Sequence, residues 1–320
     1  MRRKGTVLHQ SWSQFPMRVL FHRDYRHFSG GHLKVRDYFE HTRNCSRYQA
    51  EIYLEPGSAA DHPWRGVPGV VDRYDPTRAD ILFIAGMDWA ALDACPGIEE
   101  RIPVVNLVQG LRHAKPDGPL FGFLGRRATR ICVSAEVAQA LEATGACNGP
   151  IHVIPNGIDF SLLPEGHGPA EYDVFISGLK QPRLAAELAA RLQAEGYSVA
   201  CQVQRLPRGD FLERLARARV AVLLPLREEG FYIPALEAMA MGLPVICPDC
   251  GGNRSFCIGG ETALTPEPAL EPLAMAVREV MRNPALAEAL RHNGREMSLR
   301  HDIRTEREAF LTLLQQIGLP

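Results

Sequence analysis

No stretch of the 320 residues approaches the roughly 18 consecutive apolar residues that a helix needs to cross a bilayer. The basic start, Met1-Arg2-Arg3-Lys4-Gly5, lacks the apolar core of a secretory signal after it, which points to a cytoplasmic chain. The eight cysteines stand singly within strand and helix patterns, so reduced, packed thiols are expected rather than a disulfide framework. Cys247 and Cys250 form one Cys-Pro-Asp-Cys with Cys257 nearby. There is no second such pair and no histidine at ligand spacing, which argues against zinc. No Asp-x-Asp occurs, and no fixed-period repeat or low-complexity segment interrupts the chain.

What is present is an ordinary globular composition, 46% hydrophobic and 23% charged, at a length that suits about two domains. Net charge is −1, but residues 1–50 carry ten Lys/Arg against Asp24, Asp37 and Glu40, an excess of +7. Such a face can meet anionic lipid or an anionic acceptor, and it can equally be a solvated surface. Short apolar runs alternate with helical patterns along the chain, the mark of parallel α/β layers. Strands are expected at 17–22, 48–54, 80–85, 104–108 and 130–134, then at 151–154, 173–178, 198–204, 220–226 and 244–248. Helices are expected from about 32 to 44, at 120–128, 136–144, 184–195, 210–218, 270–282 and 284–299, and last at 305–316. Residues 56–78 are rich in Gly and Pro and read as a loop or flap.

The stretch from Glu228 to Ile246 organises the rest. An apolar strand precedes it, a loop and short helix follow, and Pro244 opens the next strand. Pro234 suits the first helical turn, where a missing N–H costs nothing, and Gly242 suits the C-terminal stop. Glu229 then lies in the loop and Glu237 in the helix. Free N–H groups at a helix N-terminus seat phosphate, and ionised carboxylates accept from sugar hydroxyls. Together they describe a nucleotide-sugar.

This stretch resembles the donor-site signature of the retaining glycosyltransferases of family 4, in which two glutamates stand eight positions apart. Glu229 and Glu237, the Glu-Ala-Met-Ala run, Gly242 and Pro244-Val245 all fall in place, while Tyr232 replaces a glycine of the usual pattern. Ser134 and Ile154-Pro155-Asn156-Gly157-Ile158-Asp159 match the family's passage into the linker, read here as residues 160–171. Gly30 and Gly31, after the first strand, match the Gly-rich loop that faces the donor phosphates. Gln109 stands where the family often has histidine, and His113 follows four residues later. Lys180 and Arg183 are the basic residues near the place of the family's diphosphate-binding pair, without its spacing. Gly251, Gly252 and Asn253 match a further glycine pair of the signature.

The resemblance implies an α/β chain of two Rossmann-like domains facing each other across a cleft, the GT-B architecture. The acceptor-side domain is expected at 1–160, the donor domain at 161–300, and a C-terminal helix returning to the first domain at 301–320. It further implies transfer of a hexosyl group, with retention and without metal or other cofactor, from a nucleotide diphosphate-sugar to a glycan or lipid-linked acceptor in cell-surface polysaccharide synthesis. The implied site has Glu229 positioning the sugar, and Lys180 and Arg183 stabilising the leaving diphosphate. Gln109 or His113 stands in the usual histidine role. Gly230, Phe231, Tyr232, Ile233 and Pro234 cradle the donor, and Glu237 holds the ribose. A nucleotide-sugar 2-epimerase and a degenerate partner subunit are the alternatives on the same architecture. Peripheral contact with the inner membrane face is expected through Arg2, Arg3, Lys4, Arg18, Arg23 and Arg26. No nucleic-acid partner is implied.

Overall fold

Two continuous apolar patterns, each buried on both faces, build two parallel sheets. The computed structural model describes residues 15–27, 29–164 and 170–318. In the first domain, strands β1 (Met17–Arg23), β2 (Tyr48–Leu54), β3 (Val70–Val71), β4 (Ile81–Ala85), β5 (Val104–Val108), β6 (Thr129–Cys132) and β7 (Ile151–Val153) form a seven-stranded sheet. Its spatial order is β3-β2-β1-β4-β5-β6-β7, with every pairing parallel. Helix α1 (Gly30–Arg43) starts on the Ser29 side-chain cap, and α2 (Ala135–Glu142) on that of Ser134. Val19, Phe21, Phe83 and Ile131 pack with Val35 and Phe39 of α1 on one face. Leu20, Leu82 and Ile84 pack with Trp89 and Leu92 on the other.

The second domain is a smaller parallel sheet of β8 (Tyr172–Ser177), β9 (Val199–Gln202), β10 (Ala218–Leu223) and β11 (Val245–Ile246), in the order β11-β10-β8-β9. Around it lie α3 (Pro182–Ala194), α4 (Arg208–Ala216), α5 (Ile233–Ala240), α6 (Leu270–Arg282) and α7 (Pro284–Leu299). Val174, Ile176, Val220 and Val222 meet Leu188 of α3 and Val277 of α6 in its core.

Helix α8 (Ile303–Ile317) packs on the first domain, where Phe310 meets Tyr38 edge-on with ring centroids 4.7 Å apart. Its anchor is ionic and fully buried. Glu306 sits 2.6 Å from Lys34 and 3.0 Å from His41, and accepts the Gly157 amide at 2.6 Å. Burial favours the neutral carboxyl, but Lys34 and His41 hold Glu306 below the ordinary range. The Asn156–Asp159 turn crosses the start of α8. There the Ile158 amide donates to the His301 carbonyl and the Ile303 amide to the Ile158 carbonyl, and a Cβ on Gly157 would meet the Ile303 Cα at 2.7 Å.

Of the two readings of residues 56–78, the loop holds and the flap does not, since Trp64 is fully buried and β3 adds to β2. Residues 120–128 form no α-helix but a 3-10 turn at Phe121–Gly125. The carbonyls of Phe123, Leu124 and Arg126 turn to the guanidinium of Arg130, which is fully buried in β6. Arg126 pairs with Glu99 and Asp93 and lies 5.0 Å over the Trp89 ring. Part of the expected linker, residues 165–169, lies outside the described residues, as does Phe28 before the Gly30-Gly31 turn.

Candidate functional site

Each sheet reverses its strand order once, between β1 and β4 in the first and between β8 and β10 in the second. Parallel sheets open a crevice at the carboxyl ends of strands at such points. The two crevices face each other and join in one cavity of about 690 Å³. From the first domain it is lined by Arg23 at the end of β1, Gly30 and Gly31 at the start of α1, and Gln109 and His113 after β5. From the second it is lined by Ser177, Lys180, Gln202, Arg208 and the run from Glu228 through Pro234, with Glu237 behind.

The loop before α5 carries the domain contact. Gly110 and Glu229 form an antiparallel bridge across the cleft, and Lys115 reaches Glu228 at 2.5 Å. A Cβ on Gly230 would lie 2.5 Å from the Gln109 carbonyl oxygen, so only glycine allows this approach. Tyr232 is buried, its hydroxyl bonded to Ser177 and held neutral chiefly by burial. The start of α5 offers fewer free amides than the sequence suggests. Pro234 has none, while Ile233 and Ala235 donate back to Phe231 and Tyr232, both at 3.2 Å.

Each acid of the signature holds one cation. Glu229 lies 3.2 Å from Lys180 Nζ, yet its Oε1 has no hydrogen bond, because that contact lacks bonding geometry. Glu237, 1% exposed, is paired with Arg208 at the start of α4. Burial raises the Glu237 carboxyl above its ordinary range against the pull of Arg208.

On the first-domain wall, Gln109 donates to the Gly31 carbonyl at 3.1 Å and so braces the glycine turn. His113, expected with Gln109 as a candidate for the usual histidine role, is 4% exposed; burial, then Arg112 and Arg130, push its pKa down to about 4. It is a neutral imidazole at physiological pH. Beneath the wall runs a network the sequence reading missed. Arg23 donates to His32 Nδ1 at 2.8 Å and to the Ala85 carbonyl at 3.1 Å, and pairs with Asp88, which also meets His22. Burial, then Arg23, lower His32 to about 4.

Four predicted site residues stand outside the cavity. Arg183 is 93% exposed and paired with Glu187 on the outer surface of α3. Gly251, Gly252 and Asn253 lie under the Glu229 loop rather than in front of it. A Cβ on Gly252 would meet the Glu229 carbonyl oxygen at 2.5 Å, and the Gly252 amide donates to that oxygen. Asn253, 1% exposed, ties Pro248 to the Cys250 amide. Arg208 was legible by the rule that pointed to Arg183, a cation opening a helix against its dipole.

Residues 171–297 match the family described as glycosyl transferases group 1. A D-inositol 3-phosphate glycosyltransferase of Salinispora tropica is 30% identical over 191 residues, 57% of this chain and 35% of that protein. A lipopolysaccharide core biosynthesis mannosyltransferase of Rhizobium leguminosarum is 30% identical over 163 residues, 50% of this chain and 42% of that one. The matched stretches thus span less than half the length of these curated relatives. Among solved structures, Anabaena HepE in complex with UDP-glucose superposes with a TM-score of 0.75 at 17% identity, covering 94% of this chain and 100% of that one. Sucrose-phosphate synthase of Thermosynechococcus elongatus gives 0.72 at 15%, covering 94% and 99%. The chain has the GT-B fold, and its residues 171–297 are similar to the glycosyl transferases group 1.

Proposed function

We propose that the chain transfers a hexosyl group from a nucleoside diphosphate sugar to a hydroxyl of a glycan or lipid-linked acceptor, with retention and without a metal. The observation that carries this is the joining of the Glu229–Glu237 stretch, Lys180 and the Gly30-Gly31 turn in one interdomain cavity. Glu229, with an unbonded carboxylate oxygen at the cavity, is placed to accept from sugar hydroxyls. Glu237 takes the ribose hydroxyls. Lys180 and the start of α1, whose Gly30 faces open space, stabilise the charge that develops on the departing diphosphate. His113 supplies a neutral donor or acceptor on the opposite wall. Retention rests on the family likeness. A lipid-linked or cell-surface acceptor is the reading that the lipopolysaccharide mannosyltransferase relative favours.

The test is incubation with UDP-, GDP- and dTDP-sugars, with and without neutral and phosphorylated sugar acceptors. Release of nucleoside diphosphate with an α-linked product from an α-linked donor supports the proposal. Isomerised sugar identifies an epimerase instead, and no binding of any donor identifies a non-catalytic subunit.

A further inference from the structure

We propose that Arg208 is the cation that receives the donor's diphosphate, and that it is parked on Glu237 until the donor releases it. This rests on the donor-site reading above and adds to it a residue and an order of events. Of the two cations first expected to neutralise the diphosphate, Arg183 faces outward and Lys180 alone lines the cavity. A single flexible ammonium leaves a diphosphate poorly matched, whereas a guanidinium fork binds phosphate oxygens in pairs. Arg208 supplies that fork. It lines the cavity from the start of α4, and its guanidinium meets Glu237 in the second turn of α5. Its Nε–H is buried without an acceptor, so the fork is only partly used. An unpaired buried donor is costly, and a ligand oxygen removes that cost.

Glu237 has the complementary shortfall. Its carboxylate is buried and its Oε1 is occupied by Arg208, so ribose hydroxyls compete with the guanidinium for it. Lys180 stands beside Glu229 in the same way. Donor binding then becomes an exchange, with hydroxyls passing to the acids and phosphates to the cations. At no stage is a buried charge left without a partner, which would be strongly unfavourable. A nucleoside without phosphates can take the acid but cannot satisfy the arginine, so the pair favours the diphosphate.

The test is calorimetric titration with UDP and uridine, and with GDP and guanosine. The background is Glu237→Gln, in which no buried carboxylate is left unpaired. Adding Arg208→Ala to this background is expected to weaken the diphosphate by about tenfold or more and the nucleoside by less than about twofold. Arg208→Lys in the same background is expected to recover part of the loss. If Arg208→Ala lowers both ligands equally, or neither, Arg208 only positions Glu237 and the inference fails while the donor site stands. If the unsubstituted chain binds none of the diphosphates, the donor-site reading falls and this inference with it.

Discussion

Glu229 and Glu237 share one signature but sit in opposite environments, and their substitutions are expected to separate. Glu237 is buried at the root of α5, whereas Glu229 is partly exposed at the loop. Glu237→Ala is expected to weaken nucleoside diphosphate binding by about 1–3 kcal/mol, the cost of a lost charge-assisted bond. Glu229→Ala is expected to lower turnover while free nucleotide still binds, and titration beside single-turnover kinetics checks both. A second prediction concerns protons. His32 and His113, at about 4 in the folded chain, lie below the ordinary value of 6.5. Between those values the unfolded chain binds more protons, so these two groups make stability fall as pH drops through that window. His22, raised by Asp88 and Glu55 against its burial, works the other way. His113→Gln is therefore expected to flatten the acid limb of a denaturation-midpoint profile from pH 6.5 to 4. At this scale the acids, Lys180 and the glycine turn singled out in the sequence line the cavity. The Arg23–His32–Asp88 network was not legible, because partners 65 residues apart leave no local pattern, whereas Arg208 stood at a legible helix start and was passed over.

Elements were most legible where spacing and punctuation agreed. Helices α6 and α7 begin and end where the apolar period, Pro284 and the charged faces place them. The failure at 120–128 is instructive. Its apolar residues suggest a helix, but Gly122 and Gly125 weaken it and the buried Arg130 takes the carbonyls a helix would use. The return of α8 was read from family likeness, and its physical basis is an acid that no single-sequence pattern marks as buried. Glu306 neutralises Lys34 and accepts from His41 and the Gly157 amide at once. Removing it leaves the buried Lys34 ammonium with Asp37 as its one counter-charge and the Gly157 amide without its acceptor. Glu306→Ala is expected to cost about 3–5 kcal/mol in chemical denaturation, far more than a surface ion pair. The raised pKa of Lys34 and the lowered one of Glu306 also fix the sign with pH. The latch is complete from neutral pH up to the ordinary lysine range. It weakens as acid protonates Glu306, and again as alkali deprotonates Lys34.

For the whole molecule, the two sheets bring Lys180 and Arg208 to one interdomain cavity, and on the proposed reading these cations, rather than a metal, meet the diphosphate. Activity is expected to survive excess chelator; loss that Mg²⁺ or Mn²⁺ restores would refute the charge assignment. The basic excess of residues 1–50 has a different fate from the one composition suggests. Arg18 pairs with Glu51, Arg26 with Asp24, and Lys34 with Asp37 and Glu306, while Arg23 lines the cavity over Asp88. Asp24 and Asp37 are already in the sum over residues 1–50, but Glu51, Glu306 and Asp88 come from β2, α8 and the turn after β4, which that sum cannot reveal. Arg2, Arg3 and Lys4 lie outside the described residues, and among the described residues no helix is long and apolar enough to cross a membrane. Any attraction to an anionic leaflet therefore falls mainly to those three residues, at about 1 kcal/mol each and screened by salt. Weak co-sedimentation with anionic vesicles is expected at low ionic strength, lost in high salt and lost when Arg2, Arg3 and Lys4 are replaced by alanine. Arg18→Ala is expected to leave it unchanged, since that side chain already spends its charge on Glu51. Equal recovery with neutral and anionic vesicles would remove the membrane from the account and leave the acceptor to be met in solution.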